Sequence, residues 1–379
     1  MEKSLTPRRY DIDWLRALTM LAIFLFHCAC FFSFDDWHVK NVQRSLAAAT
    51  FTGFLVQWIM PVMFVISGIG SRYALEFRSG GQYLGERVKR LFIPLVFGVF
   101  ILSPHQVYFE RLTHSQFSGS FWQFLPHYFD GFYAFGGNFA WMGLHLWFLL
   151  YLLIYSLLCL PLFLRLRTSP GLKLAAFLEK PGALFMLALP LAAAQAALDP
   201  RGILGMQDTG GWSMVIYLVF FCYGYLLASH PRISDTIERQ HVLAGLLGLL
   251  SISLMFYLYT VLQVHPAFGT AQYTLLAALR AFNSWFWIVF LLGLTSRRLS
   301  FDSGLRRYSN QAVMPFYVLH QPIILLVGFF VVRWDIGVLP KYLLISAASF
   351  ILIMLVYELL VKCQRWLRFL TGMKHTSRS

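Results

Sequence analysis

The stretch DIDWLRALTMLAIFLFH (Asp11–His27) decides the fold. Two carboxylates and an arginine open it. The chain then stays apolar to Phe34, apart from Thr19, His27 and Ser33. At about 1.5 Å of rise per residue, some 20 such residues cross a hydrocarbon core of about 30 Å. The run exceeds the roughly 7–15 apolar residues of a signal peptide, so it reads as a retained helix over 15–34. Similar runs recur at 50–69, 91–107, 144–163, 182–198, 212–228, 242–262, 273–295, 311–332 and 340–361. The pattern predicts an all-α polytopic bundle of about ten spans, forming a single membrane-embedded domain over 1–379.

Composition agrees. Of 379 residues, 58% are hydrophobic and 13% charged, about half the charged share of a soluble protein. The net charge of +14 would suggest nucleic acid in a soluble chain. Here it follows the excess of Lys and Arg on cytoplasmic loops, so no nucleic-acid partner is expected. Basic residues crowd alternate connections: Arg72, Arg78, Arg87, Lys89 and Arg90, then Arg297, Arg298, Arg306 and Arg307, then the tail 362–379. The opposite connections hold Lys40, Arg44, Arg111, Arg201, Arg333 and Lys341. That asymmetry predicts cytoplasmic termini at both ends. The five cysteines form no C-x-x-C pair, so neither a disulfide framework nor a zinc site is suggested.

Ionisable groups inside apolar spans are functional candidates, because a charge at the bilayer centre costs at least about 2.5–3.5 kcal/mol. At 100° per residue, Asp13, Arg16 and His27 fall within about 40° of one helix face. His27 lies about 17 Å beyond Arg16 along the axis. The ordinary alternative makes Arg16 a positive-inside anchor and His27 a satisfied interior polar group. His320, in VLHQP, reaches similar depth between Pro315 and Pro322, which leave backbone carbonyls without their helical donors. Arg280 and Glu358 lie near span ends, where snorkelling suffices. Ser67, Gly68, Gly70 and Ser71 read as a close-packing surface. The cations of SRYALEFRSGGQYLGERVKRLFIP (Ser71–Pro94) suit either a polyphosphate or anionic lipid headgroups. Lipase-type, phosphate-loop and zinc-protease motifs are absent. One His-x4-Asp, His230 to Asp235, stands in a loop without supporting blocks.

The ordered blocks Asp13-x-x-Arg16-x10-His27, FVISG (Phe64–Gly68), RVKRLFIP (Arg87–Pro94), HLWFL (His145–Leu149) and FYVLHQP (Phe316–Pro322) resemble the acyltransferase-3 family of membrane proteins. The resemblance covers about 10–360. HCACFFSFDDWHVKN (His27–Asn41), HLWFL and the pair Tyr357-Glu358 look most like the branch that succinylates periplasmic glucans.

The resemblance implies transfer of an acyl group, succinyl or acetyl, from a cytoplasmic acyl-CoA to a hydroxyl of an extracytoplasmic glycan, in the bacterial inner membrane. No metal or redox cofactor is implied. The family's arginine and histidine map onto Arg16 and His27, with Asp13 and His320 beside them as catalytic candidates and Tyr317 and Asn310 in support. Arg72, Arg87, Lys89 and Arg90 are donor-binding candidates, because phosphates favour charge-assisted contacts. His145 and Trp147 are acceptor-side candidates. An imidazole, with an ordinary pKa near 6.5, suits a general base or a transient acyl carrier. A transporter or flippase also tolerates kinked helices and mid-membrane charges, but such proteins often carry internal repeats, and none is visible here.

Overall fold

The computed structural model describes residues 9–167 and 171–373. Lys374 and Arg378, in the basic tail named above, lie outside them. Among the described residues the regular structure is helical, with one isolated bridge, Phe132 to Phe139. Among the described residues seven helices are long and apolar enough to cross a membrane: α1 Tyr10–Cys30, α2 Leu46–Phe77, α3 Gly80–Thr113, α7 Pro231–Val261, α8 Ala271–Arg298, α9 Gly304–Val331 and α10 Val338–Val361. Two bent pairs raise the number to nine: α4, Leu144–Leu158 with Leu160–Arg167 at 55°, and α5, Leu172–Leu178 with Ala183–Ala197 at 109°. The remaining apolar run, 212–228, forms α6, Met214–Leu227, at 14 residues shorter than a full hydrocarbon crossing.

The chain divides into two compact units. The first takes the residues up to Thr19, Val56–Arg78 and Cys159–Asn310; the second takes Met20–Leu55, Ser79–Leu158 and Gln311 onward.

In the first unit α2 and α6 meet backbone to backbone. A Cβ at Gly68 would lie 2.0 Å from the Phe221 carbonyl, and one at Gly224 would lie 2.0 Å from that of Val65. The small-residue reading therefore holds for Gly68. It does not extend to Gly70, where a Cβ meets nothing within 4 Å. Arg280 does not snorkel freely: it donates to Gln57 (3.3 Å) and Gln207 (2.5 Å) and lies 4.2 Å over Trp212. The Cys159 and Cys222 thiols stand 3.6 Å apart.

In the second unit α1 and α9 run parallel. Phe24 packs on Phe316 (5.5 Å between centroids), His27 faces His320, and the Phe31 ring fills the space a side chain at Gly328 would need. The seam uses Phe24, His27 and Phe31, three and four positions apart, against Phe316, His320 and Gly328, four and eight apart, the rows along which helices pack. Helix α3 carries two π-helical turns, Val88–Phe92 and Gly98–Leu102. Each ends two residues before a proline, Pro94 or Pro104, whose ring would clash with the carbonyl four residues back. Beyond α3, residues 114–143 fold over a small core of Val107, Phe124, Tyr128 and Ala140.

Gly68→Ala should lower stability in detergent by about 1–3 kcal/mol, the usual cost of overpacking, while Gly70→Ala stays near wild type. Thermal melts of the two purified variants check this; equal melting temperatures would exclude the close α2–α6 contact.

Candidate active site

The polar heart of the second unit is a set of imidazoles ordered by proline chemistry. Pro322 has no N–H, so the Val318 carbonyl in α9 lacks its helical donor. His145 Nε2 supplies one at 3.2 Å. The Tyr317 hydroxyl returns a hydrogen bond to the His145 carbonyl at 2.6 Å. This clasp fixes the start of α4, where Gly143 and Leu144 both take positive φ (74° and 53°). Gly98, in the second π turn, leaves room for the Leu146 side chain beside it.

His320 is fully buried. Its Nδ1 lies 2.6 Å from the Tyr317 carbonyl and must donate there, because a carbonyl only accepts. The Nε2 of neutral His320 is then an acceptor, and His27 Nδ1–H donates to it at 3.1 Å. The network thus assigns the tautomer: His27 carries its proton on Nδ1 and its lone pair on Nε2. The Trp37 indole stacks on His27 at 5.2 Å and packs on His38 at 4.9 Å. Its Nε1–H is buried and unpartnered, as is His145 Nδ1.

A second imidazole is bound to a carboxylate. His38 Nδ1 pairs closely with Glu110 Oε2, and its Nε2 faces the Gln321 amide nitrogen at 3.2 Å. Glu110, 7% exposed, also accepts from the Tyr133 hydroxyl (2.7 Å) and Arg111 (3.1 Å). Burial and the Glu110 charge hold the Tyr133 phenol above its ordinary range. Arg111 reaches on to Asn138 and the Gly137 carbonyl, both at 2.8 Å, fastening the loop 114–143 to α3. The loop carrying Trp37 and His38 is held by Lys40, which donates to the carbonyls of Cys30, Ser33 and Asp35 at 2.6–2.7 Å. Burial pushes Lys40 down to about 8, and Arg44 adds to the effect.

The other candidates sit as follows. His27, His320 and His145 come together, with His145 and His320 centroids 5.1 Å apart. Trp147 packs edge-on against Tyr151 instead. Asp13, in the first unit, is gripped by Arg306 at 2.6 Å and approached by Arg16 at 3.6 Å. Arg16 also donates to Asn310 at 3.3 Å. Arg72 of that unit pairs with Glu76 at 3.0 Å. In the second unit Arg87 lies over Tyr83, Arg90 approaches Glu86 at 3.7 Å, and Lys89 is exposed. His230 accepts from the Arg232 N–H and starts α7. Among the described residues no group of three His, Cys, Asp or Glu side chains is arranged to hold a metal ion.

Comparison with known proteins matches residues 9–358 to the acyltransferase-3 family, described as an acyltransferase domain. The chain belongs to this acyltransferase family. It is similar to glucans biosynthesis protein C of Escherichia coli (strain K12), 28% identical over 348 residues, covering 86% of this chain and 84% of the relative. It is also similar to the protein of that name from Escherichia coli O139:H28 (strain E24377A / ETEC), 27% identical over the same coverage. The resemblance read from the motif blocks is borne out. This multi-pass acyltransferase carries, besides the expected histidines, Trp37, His38, Glu110, Tyr133 and Gln321, which sequence reasoning did not single out. Their signal was present: Glu110-Arg111 interrupts an aromatic stretch, and Trp37-His38 follows the first span within one loop.

Lys40 gives a pH test. Between about 8 and the ordinary lysine value near 10.4, the unfolded chain holds a proton that the folded chain has lost, so this residue's contribution to stability rises with pH. The melting-temperature difference between wild type and Lys40→Met should therefore shift in favour of wild type from about pH 7.5 to 9.5. A difference that stays flat would sink the assignment.

Proposed function

We propose that this acyltransferase moves a succinyl or acetyl group from a cytoplasmic acyl-CoA to a hydroxyl of an extracytoplasmic glycan. The observation that carries the reading is the His27–His320 hydrogen bond, which leaves His27 Nε2 as the reacting atom. The enzyme acts in the bacterial inner membrane as one domain of ten spans, with both termini cytoplasmic; the Lys and Arg asymmetry of the connections supports that topology.

Arg16, Arg72, Arg87, Lys89 and Arg90 receive the phosphates of the donor, in keeping with their charge and their place in the connections read as cytoplasmic. The thioester reaches His27. The Trp37 Nε1–H is the donor for the oxyanion that develops on the acyl carbonyl: a buried N–H without an acceptor costs about 1–3 kcal/mol, which an arriving oxyanion offsets. His145, with its bare Nδ1, lines the same cluster on the acceptor side, and Trp147 stands two residues further along α4. Asp13 acts through Arg306 and Arg16 as a positioning residue rather than at the reacting atoms. The names of the glucan-modifying relatives support the choice of a glycan acceptor.

Glycans from source cells with and without the protein, compared by mass spectrometry, should differ by one acyl mass, restored by wild type and not by His27→Ala. In purified protein, His27→Ala should lose transfer by more than about a hundredfold; near-wild-type turnover would remove His27 from the chemistry. Trp37→Phe should lower kcat by about a hundredfold with little change in KM. A change confined to KM would deny Trp37 the oxyanion role.

A further inference from the structure

Of the four imidazoles at this site, His27 and His38 differ in how they are held. His27 is oriented by a neutral partner, His320. His38 is oriented by a buried carboxylate, Glu110, on the nitrogen opposite the one that faces the interior of the site. A carboxylate bonded to one imidazole nitrogen fixes the tautomer and stabilises the imidazolium that forms when the other nitrogen takes a proton. A nucleophile needs no such partner. Consecutive residues of α9 serve the two rings: His320 bonds to His27 and Gln321 to His38. The Trp37 ring packs against both. The carboxylate is itself fixed by Tyr133 and Arg111, residues tied to the outer loop, on the side read as extracytoplasmic.

We infer that the two rings divide the reaction: His27 carries the acyl group, and the His38–Glu110 dyad is the general base that activates the acceptor hydroxyl. This rests on the reading of His27 as the reacting imidazole. In the first step His27 Nε2 attacks the thioester carbonyl. The C–N bond forms and the C–S bond breaks with its electron pair on sulfur. The positive charge of the acylated ring is shared through Nδ1–H with His320. In the second step the acceptor hydroxyl displaces the Gln321 amide from His38 Nε2 and gives its proton there. The C–O bond forms, and the C–N bond breaks with its pair returning to His27. The proton on His38 passes through solvent to the released thiolate, so one ester and one thiol leave and both rings are restored.

The inference separates two acceptors. A sugar hydroxyl needs a base, whereas hydroxylamine attacks acyl groups without one. The full-length protein in detergent, given acetyl-CoA and succinyl-CoA, is assayed for thiol release with the glucan fraction from cells lacking the protein, and with hydroxylamine. His38→Gln should lose glucan-dependent turnover by about a hundredfold or more while hydroxylamine-dependent release stays within about threefold of wild type. Glu110→Gln should show the same split with a smaller loss. An equal loss with both acceptors would make His38 a structural residue, and full retention of glucan transfer would remove it from the reaction; either overturns the inference. Failure of the underlying reading looks different: wild type then ignores the glucan, or His27→Ala keeps both activities.

Discussion

A carbonyl oxygen stripped of its helical donor inside an apolar bundle is the constraint on which the site depends. Pro322 creates it at Val318, and hydrocarbon offers no water to satisfy it. The structure answers with His145, and the answer fixes several things together. The start of α4 is drawn onto α9, the Tyr317 hydroxyl closes the clasp, and the turn of α9 between them points His320 and Gln321 toward the two other imidazoles. A proline that would weaken a soluble helix by about 3 kcal/mol here sets the geometry of four histidines.

The same economy governs the ends of α1. Its first residues use ion pairs, Arg306 on Asp13 and Arg9 on Asp11. Its last carbonyls use an ammonium, Lys40, which turns the chain back so that Trp37 and His38 face the site. Asn41 continues the anchoring through Lys341, at 2.8 Å, on α10. A cation at a helix C-terminus is favoured by the helix dipole as well. The loop is therefore a braced element, and the Trp37 and His38 side chains on it have defined positions.

The sequence made the spans and the first helix legible, because a run of about 20 apolar residues has few other uses and His27 is conspicuous within one. It also placed His320 and His145, through prolines and a motif block. Glu110 escaped for a physical reason. Each π turn in α3 inserts a residue relative to regular α-helical spacing, so a helical wheel drawn through Val88–Thr113 points the later residues to the wrong face. His38 escaped because loop residues carry no periodicity, and its partners lie 72 and 283 positions away. Trp147 looked equivalent to His145 at two residues' distance. At 100° per residue it faces elsewhere, and it packs on Tyr151.

Preorganisation separates this site from a mere collection of buried polar groups. In a low-dielectric interior every unpaired donor is costly, so the few that remain unpaired carry information. Of the side chains around His27, the imidazole nitrogens of His320 and His38 are all engaged, and so is the Glu110 carboxylate. The unsatisfied atoms are Trp37 Nε1–H and His145 Nδ1, one donor and one acceptor. In the proposed reaction an acyl group arriving with a glycan brings the complementary pair: a carbonyl oxygen that gains negative charge, and a second hydroxyl beside the reacting one. The reacting O–H has a single proton, whose destination is His38, the ring that a carboxylate has prepared to hold it. His145, already spent on Val318 through Nε2, would accept through Nδ1 from the neighbouring hydroxyl and so orient the sugar without competing for that proton.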